Sequence, residues 1–317
     1  MSRKIKILFA LMLTVLAIAV CISCDTIKVP ENVSVSVTYV YNNGDDNKTE
    51  QVLSFSFAKP DDPKRDGYEF VGWCTDRKLE NFYNFEQPPQ SDITLYAKWD
   101  LDYERLVRDI GTDASLAGVK IKVETGTLFS SSTSQGSGVI YKYQNGIYYV
   151  LTNYHVVEDA ADSYGIYYVY DAYGNEYRAF YAAGDPAYDL AVLYFESKRS
   201  TELAVADIDE RIPSNTEQLI CISSPGGRYN SITLGKALRY EKANVGSDSG
   251  TSMIDFEVLW LDCYAEHGSS GGAIMDTDFD IVGITYAVAT DKFGNFKYSL
   301  VIPAERIGEF LNSNGLR

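Results

Sequence analysis

The chain has 317 residues, and 45% of them are hydrophobic, which is enough to build one or two folded domains rather than a disordered chain. Its formal net charge at neutral pH is -16, whereas nucleic-acid binding needs a basic surface, so we expect no nucleic-acid partner. The cysteines lack the CxxC spacing of zinc sites, and we predict no metal ion and no cofactor. Cys221 and Cys263 could pair in an exported protein, although isolated buried thiols are favoured.

The first 24 residues have the pattern of an export signal. The basic start MSRKIK precedes the apolar run ILFALMLTVLAIAV, which is shorter than the roughly 17–25 residues of a membrane-spanning helix. The next residues, CISC, resemble the cleavage site of a bacterial lipoprotein, where a small residue precedes the lipidated cysteine. Cys24 after Ser23 fits this pattern better than Cys21 after Val20. The resemblance implies a lipid anchor on Cys24 and a place on the extracytoplasmic face of the cell membrane; ordinary secretion and an uncleaved anchor are the alternatives.

Residues 33–99 have the pattern of short strands joined by polar turns. VSVSVTYVY and QVLSFSF alternate between apolar and polar residues, and the turn sequence NNGDDN lies between them. The strings GYEFVGW and DITLYAKW resemble the B-repeats of internalins, which are small β-grasp-like modules of bacterial surface proteins. The resemblance implies a spacer or an interaction module with a surface partner. It also favours a core role over a ligand site for the aromatic residues Tyr68, Phe70, Trp73 and Trp99.

The rest of the chain is predicted to be a helical linker followed by a β domain. Apolar residues near helical spacing in LDYERLVRDIGTDASLAG predict a helix over residues 100–116. From 117 to 317, about a dozen strand patterns separated by Gly, Asn and Asp turns favour a sandwich or a pair of barrels. A last amphipathic segment, AERIGEFLNS, follows Pro303 and is predicted to be helical.

The segment HGSSGG, at residues 267–272, raises the question of a nucleophilic serine. A serine hydroxyl needs an adjacent base at neutral pH, and that base is usually a histidine. The chain has only two histidines, His155 and His267. His267 is three residues from Ser270 in one tight loop and could hardly present its ring in line. His155, at the end of the strand pattern YYVLTNY, is therefore the candidate base.

Three segments resemble those of trypsin-like serine proteases, closest to the HtrA/DegP branch. LTNYHVVEDA resembles the histidine segment, AYDLAVLYF the aspartate segment, and LDCYAEHGSSGGAI the nucleophile segment. They occur in the order of the family, and ISSPGG and SLVIPAERI match two further landmarks. The resemblance covers about residues 115–317 and implies a chymotrypsin-like double β-barrel. We therefore predict a mainly β chain with a small β-grasp-like domain before a protease domain at 117–317.

The resemblance also implies a role for each residue of the candidate site. Ser270 would be the nucleophile, His155 the general base, and Asp189 the carboxylate that orients the imidazole. The backbone N–H groups of Gly268 and Ser270 would form the oxyanion hole. Ser269 stands where the family usually has asparagine, and we expect it to be a small loop residue without catalytic duty.

The substrate pocket is less well defined by the sequence. In trypsin-like folds the residue six positions before the nucleophile lies at the pocket floor, and here that residue is Tyr264. Because it is not acidic, it argues against cleavage after Arg or Lys and favours small or medium apolar side chains. Tyr286, Ala287 and Val288 are predicted to form a pocket wall. His267 is expected to face solvent.

These observations predict an extracytoplasmic, lipid-anchored serine endopeptidase that acts on protein or peptide substrates. The alternative is a catalytically inactive relative with the same fold, which would bind peptides or serve in surface adhesion.

Overall fold

The computed structural model describes residues 33–127, 130–161, 165–197, 203–243 and 254–317. The chain divides into two compact units, with the boundary between Asp100 and Leu101. The predicted export signal, including Cys24, lies outside the described residues. Within the described part of the chain, no helix is long and apolar enough to span a membrane.

The first unit is a mixed four-stranded sheet. Its strands are β1 Ser34–Val40, β2 Lys48–Leu53, β3 Tyr68–Cys74 and β4 Ile93–Leu101, in the order β2-β1-β4-β3. Strand β1 pairs antiparallel with β2 and parallel with β4. Successive side chains of a strand point to opposite faces, so the alternation in β1 buries Val35, Val37 and Tyr39 together.

An aromatic cluster forms the core of this first unit. Trp73 is fully enclosed, and its ring meets that of Phe70 edge-on at 5.4 Å between centroids. The ring of Trp99 also packs against that of Phe70, with 5.3 Å between centroids. The predicted core role is therefore confirmed for these three residues. Tyr68 differs: it is half-buried outside the cluster, with the guanidinium of Arg65 3.8 Å from its ring centre.

The described part of the second unit contains two closed six-stranded barrels, which confirms the predicted fold class. The first barrel has the order β10-β7-β6-β5-β8-β9, with strands β5 Gly118–Thr127, β6 Ser130–Gln144, β7 Ile147–Thr152, β8 Ile166–Tyr170, β9 Glu176–Asp185 and β10 Leu190–Glu196. The second has the order β11-β12-β13-β16-β15-β14, with strands β11 Gln218–Ser223, β12 Ser231–Lys242, β13 Glu257–Leu261, β14 Ala273–Met275, β15 Ile281–Thr290 and β16 Phe296–Pro303.

Two hairpins of these barrels use the same five-residue loop, DAYGN at 171–175 and DKFGN at 291–295. In each loop the carboxylate of the first residue, Asp171 or Asp291, accepts the backbone N–H groups two and four residues later. Gly174 and Gly294 follow with φ of +79° and +82°, a conformation that glycine adopts without strain. Local turn chemistry thus sets both hairpins.

The helices of the second unit lie on the barrels. They are α1 Tyr103–Asp109, α2 Ser115–Ala117, α3 Tyr154–Ala161 and α4 Ala304–Ser313, and a π-helical stretch, Ile110–Ala114, joins α1 to α2. Asp102 caps α1 by accepting the N–H of Arg105 at 2.8 Å. Leu106 and Ile110 are buried in a cluster with side chains of both barrels. The segment predicted as a linker thus contributes to the core of the second unit.

The largest core cluster of the second unit runs between its two barrels. It joins Val139 and Leu190 of the first barrel to Ile220 and Ile284 of the second. Burial of this apolar surface holds the barrels side by side, and the predicted catalytic segments lie along their junction.

The three described cysteines, Cys74, Cys221 and Cys263, are buried free thiols. Burial raises the pKa of each thiol, which keeps it protonated and unreactive. The pairing of Cys221 with Cys263, left open by the sequence, is absent from the structure.

Candidate active site

His155 lies in the first turn of α3, directly after β7 ends. The first N–H groups of a helix have no acceptor within the helix, so they need partners from elsewhere. The N–H of His155 donates to Oδ1 of Asp189 at 3.0 Å. The imidazole Nδ1 lies 2.8 Å from Oδ2 and 3.0 Å from Oδ1 of the same carboxylate. One aspartate therefore holds both the backbone and the ring of His155.

Asp189 itself has an unusual backbone conformation. Its φ is +50°, in the left-handed region that few residues other than glycine adopt. Its carbonyl accepts the N–H of Tyr154 at 3.1 Å and the side-chain amide of Asn153 at 2.9 Å. These bonds from the residues before His155 hold the strained turn in place, as is common at functional sites.

The imidazole of His155 is partly open to solvent, whereas the carboxylate that binds it is buried. Its side chain is 41% exposed, whereas that of Asp189 is only 10% exposed. Burial lowers the pKa of His155, but the hydrogen bond and the charge of Asp189 outweigh it, so the pKa lies above its ordinary value. With Nδ1 engaged by the carboxylate, Nε2 is the nitrogen left to act as a base.

Ser270 lies in a tight turn at residues 266–272. The N–H of Ser269 donates to the carbonyl of Glu266, and the N–H of Gly272 donates to that of Ser269, both at 2.9 Å. Gly271 has a φ of +84°, and a Cβ at this position would lie 2.1 Å from the carbonyl oxygen of Ser137. Both the conformation and the close approach require glycine.

The carbonyl groups of this turn are held from outside it. That of His267 accepts the N–H of Gly226 at 2.8 Å. The carbonyl of Gly268 accepts the hydroxyl of Ser137 at 2.7 Å, and that of Ser270 accepts the N–H of Ser137 at 2.8 Å. Among the described residues, neither Gly268 nor Ser270 donates its own N–H to a protein acceptor. The turn thus presents two unpaired N–H groups, with the φ of Gly268 at +92°.

The turn lies close to the helix that carries His155. A Cβ built on Gly136 would come 2.6 Å from Cγ1 of Val156 and 3.2 Å from the carbonyl oxygen of Ser270. Gly136 therefore lies between Ser270 and the neighbour of His155. The structure brings His155 and Asp189 into direct contact and places the Ser270 turn close to helix α3. Among the described residues, no hydrogen bond joins the Ser270 hydroxyl to His155.

Two other residues of this turn, Ser269 and His267, differ in burial. Ser269 is 1% exposed, and its hydroxyl bonds to that of Ser223 and accepts the N–H of Glu266, both at 3.2 Å. It thus closes the turn from inside. The side chain of His267 is exposed, on the outside of the same turn.

The four residues of the predicted pocket lie in different surroundings. Tyr264 is 48% exposed, with its ring against Phe296 at 5.1 Å and its hydroxyl donating to Glu266 at 3.2 Å. Tyr286 is buried in the core, while Ala287 and Val288 are partly exposed on β15. Their role as a pocket floor and wall stays a prediction.

Sequence reasoning missed Ser137 and Gly226, which hold the turn. Gly226 lies in a string, ISSPGG, that marked the resemblance to the protease family. A serine between two glycines, as at 136–138, was the available signal, because glycines permit close approach of a neighbouring backbone. Within the described ranges, no group of three or more His, Cys, Asp or Glu side chains is arranged to hold a metal ion.

Comparison with known proteins supports the fold of both units. Residues 136–284 match the family model of the trypsin-like peptidase domain. The second unit has the fold of that family. Residues 36–98 match the model of the Listeria-Bacteroides repeat domain, in the region predicted to be a B-repeat.

Similar proteins include several serine proteases. A probable periplasmic serine protease of Haemophilus influenzae, do/HhoA-like, is 32% identical over 54% of this chain and 34% of its own length. The serine protease Do-like HtrA of Bacillus subtilis is 33% identical over 50% of this chain and 36% of its own length. The chain thus spans about a third of the length of these relatives. A solved HtrA-type protease with a tripeptide, AlgW, aligns with a TM-score of 0.53 at 22% identity, over 66% of this chain and 62% of its own.

Proposed function

We propose that this protein is a serine endopeptidase that hydrolyses peptide bonds through an acyl-enzyme. The observation that carries the proposal is that Asp189 binds both the backbone and the ring of His155, close to a turn in which the N–H groups of Gly268 and Ser270 have no acceptor among the described residues. A base oriented by a carboxylate, together with two free donors, is the equipment that acyl transfer to a serine requires. The serine proteases among the similar proteins support the same reaction.

In the proposed first step, Nε2 of His155 accepts the proton of the Ser270 hydroxyl while Oγ attacks the carbonyl carbon of the scissile bond. The bond between the carbonyl carbon and the leaving nitrogen then breaks, and the imidazolium returns its proton to the departing amine. Water, deprotonated by the same imidazole, hydrolyses the acyl-enzyme. Asp189 stabilises the imidazolium without taking the proton itself.

The unpaired N–H groups of Gly268 and Ser270 are proposed to bind the oxyanion of the tetrahedral intermediate. Donors fixed in advance need no reorganisation when the charge develops. Each such donor typically contributes roughly 2.7–4 kcal/mol to the transition state. The positive φ of Gly268 is part of the conformation that leaves these donors free.

The substrates are proposed to be proteins or peptides outside the cytoplasm. The export-signal pattern at the N-terminus supports this place, as do the relatives described as periplasmic. Lipidation of Cys24 would hold the enzyme at the membrane, and the repeat unit would contact a surface partner. We propose that Tyr264, Tyr286, Ala287 and Val288 favour small or medium apolar side chains at the cleavage site.

The proposal is tested with a fluorophosphonate probe, which phosphonylates activated serines. The full chain should be labelled at Ser270, and casein cleavage should be lost together with labelling in Ser270→Ala. Because Ser269 is still present in that variant, the loss would assign the label to the correct serine. A folded wild-type protein that stays unlabelled across pH would instead favour the peptide-binding alternative.

A further inference from the structure

We propose that Ser137 is a positioning residue for the turn at residues 266–272, called the oxyanion turn below. It locks this turn in the conformation that leaves the N–H groups of Gly268 and Ser270 free to bind an oxyanion. The inference rests on the proposed peptidase function, and it assigns to the first barrel control over a turn of the second. Ser137 lies on β6 and has no exposed surface. Its hydroxyl and its backbone contact the turn.

Each polar group of Ser137 is used. Its N–H donates to the carbonyl of Ser270 at 2.8 Å, and its hydroxyl donates to that of Gly268 at 2.7 Å. The same hydroxyl oxygen accepts the N–H of Ser224 at 2.7 Å. The carbonyl of Ser137 accepts the hydroxyl of Thr152 at 2.7 Å, which anchors Ser137 to the strand that leads to His155. This residue therefore links both barrels at the catalytic edge.

The planarity of the peptide bond makes these contacts decisive for the turn. In a trans peptide the C=O and the N–H point in opposite directions, so a held carbonyl fixes the direction of its N–H. The carbonyl of His267, bound by Gly226, directs the N–H of Gly268 to the other side. Ser137 fixes the next peptide through the carbonyl of Gly268. Its bond to Ser224 also holds the short loop that carries Gly226.

Glycine cannot supply this order by itself. Gly268 has a φ of +92°, but glycine reaches both signs of φ with little steric cost, so the peptide before it can rotate. Rotation would turn an N–H away from the position of the oxyanion and replace it with a carbonyl. That rotation would break the bond from the Gly226 N–H to the His267 carbonyl and leave buried polar groups unpaired. Ser137 opposes it from two sides, because its bond with Ser224 holds the loop that carries Gly226 and its bond to the Gly268 carbonyl fixes the next peptide.

The test compares Ser137→Ala with Ser299→Ala in the full chain. Ser299 is a matched control: it is equally buried, on β16, and its hydroxyl donates one short bond to a backbone carbonyl, that of Cys263, at 2.6 Å. Ser137→Ala loses two buried hydroxyl bonds and Ser299→Ala loses one, all in the same unit. Only the first loses a bond to the oxyanion turn.

For Ser137→Ala we expect the rate of fluorophosphonate labelling to fall at least tenfold, towards the roughly hundredfold loss that follows removal of one oxyanion donor. On a fluorogenic peptide kcat should fall while KM stays within about twofold, as for an interaction made in the transition state. In Ser299→Ala kcat should stay within about twofold of wild type, since its lost bond to Cys263 lies outside the turn, and any effect on the neighbouring residue Tyr264 of the proposed pocket should appear in KM. The low-field proton resonance of His155 Nδ1 should persist in both, because the contact with Asp189 is untouched.

Each outcome bears on the proposal. Equal labelling of wild type and folded Ser137→Ala would overturn the lock while leaving the peptidase function standing. A wild-type protein that is not labelled would remove both. If Ser137→Ala does not fold, Ser137→Cys keeps the shape with a weaker donor, and the same fall in kcat is expected. Loss of the His155 resonance in Ser137→Ala would also contradict the lock, because it would mean that the whole site had collapsed.

Discussion

His155 combines a buried partner with an open face. Asp189 holds its Nδ1 and its backbone N–H, while nearly half of the side chain remains accessible. The carboxylate can hold the ring in one orientation only because its own backbone accepts a left-handed φ. A single strained residue thus determines the geometry of the base.

The raised pKa of His155 predicts the acid limb of the activity profile. A protonated imidazole cannot accept the proton of Ser270, so kcat/KM should fall on acidification. Because Asp189 raises the pKa of His155, the midpoint should lie above the ordinary value of about 6.5. Asp189→Asn removes that charge, so the midpoint should move to lower pH and kcat should fall by about 10⁴-fold.

Glu158→Gln is the control for this prediction. Glu158 lies on the same helix and raises the pKa of His155 less than Asp189 does. Its removal should therefore move the midpoint in the same direction, but by less. The measurement is the labelling rate as a function of pH. A midpoint that Asp189→Asn leaves unchanged would mean that a different group titrates.

Helix α1 shows how an apparent linker becomes part of a core. Leu106 is 4% exposed and packs among side chains of both barrels, while its neighbour Val107 is 62% exposed. The same apolar spacing in the sequence fits both a free linker helix and a helix docked on the barrels. Only the partner surface distinguishes a free linker from a docked helix.

This difference in burial predicts that alanine substitutions at these two adjacent positions lower the free energy of unfolding by different amounts. Leu106→Ala should lower the free energy of unfolding of the second unit by about 2–4 kcal/mol, through lost burial and the cavity left behind. Val107→Ala should change it by less than about 0.5 kcal/mol, since its side chain is exposed. Urea denaturation followed by tryptophan fluorescence and by labelling measures both. Equal costs would show that α1 is not docked in solution.

The two units have separate hydrophobic cores. The first unit packs its aromatic cluster around Trp73, and the second packs its barrels against each other and against α1. A unit with its own core can in principle fold alone. The proposed catalytic residues all lie in the second unit.

A chain that begins at residue 101 should therefore keep its activity. We expect its labelling rate to stay within about twofold of the full chain, because no proposed catalytic contact involves the first unit. A chain that begins at residue 118 loses α1 and should be less stable and less active. Labelling and thermal melting of both chains provide the measurement. Loss of activity already on removal of residues 1–100 would place the functional boundary elsewhere.

The sequence by itself determined the local elements and the order of the catalytic segments. Alternating strands, the two hairpin loops DAYGN and DKFGN and the Gly-rich turn at Ser270 depend on neighbours within a few positions, so their patterns can be read directly from the sequence. The resemblance of three segments then predicted the double barrel. Contact between His155 and Asp189 followed once that fold was assumed.

Only the tertiary structure decided which residues support those elements. Ser137 holds Gly268 across 131 positions of the chain, and no local pattern records a bond of that range. The burial of Leu106, the exposure of Tyr264 and the enclosure of Tyr286 likewise depend on which surface each element meets. Periodicity fixes the side of an element that is apolar, whereas packing between distant segments decides what covers it.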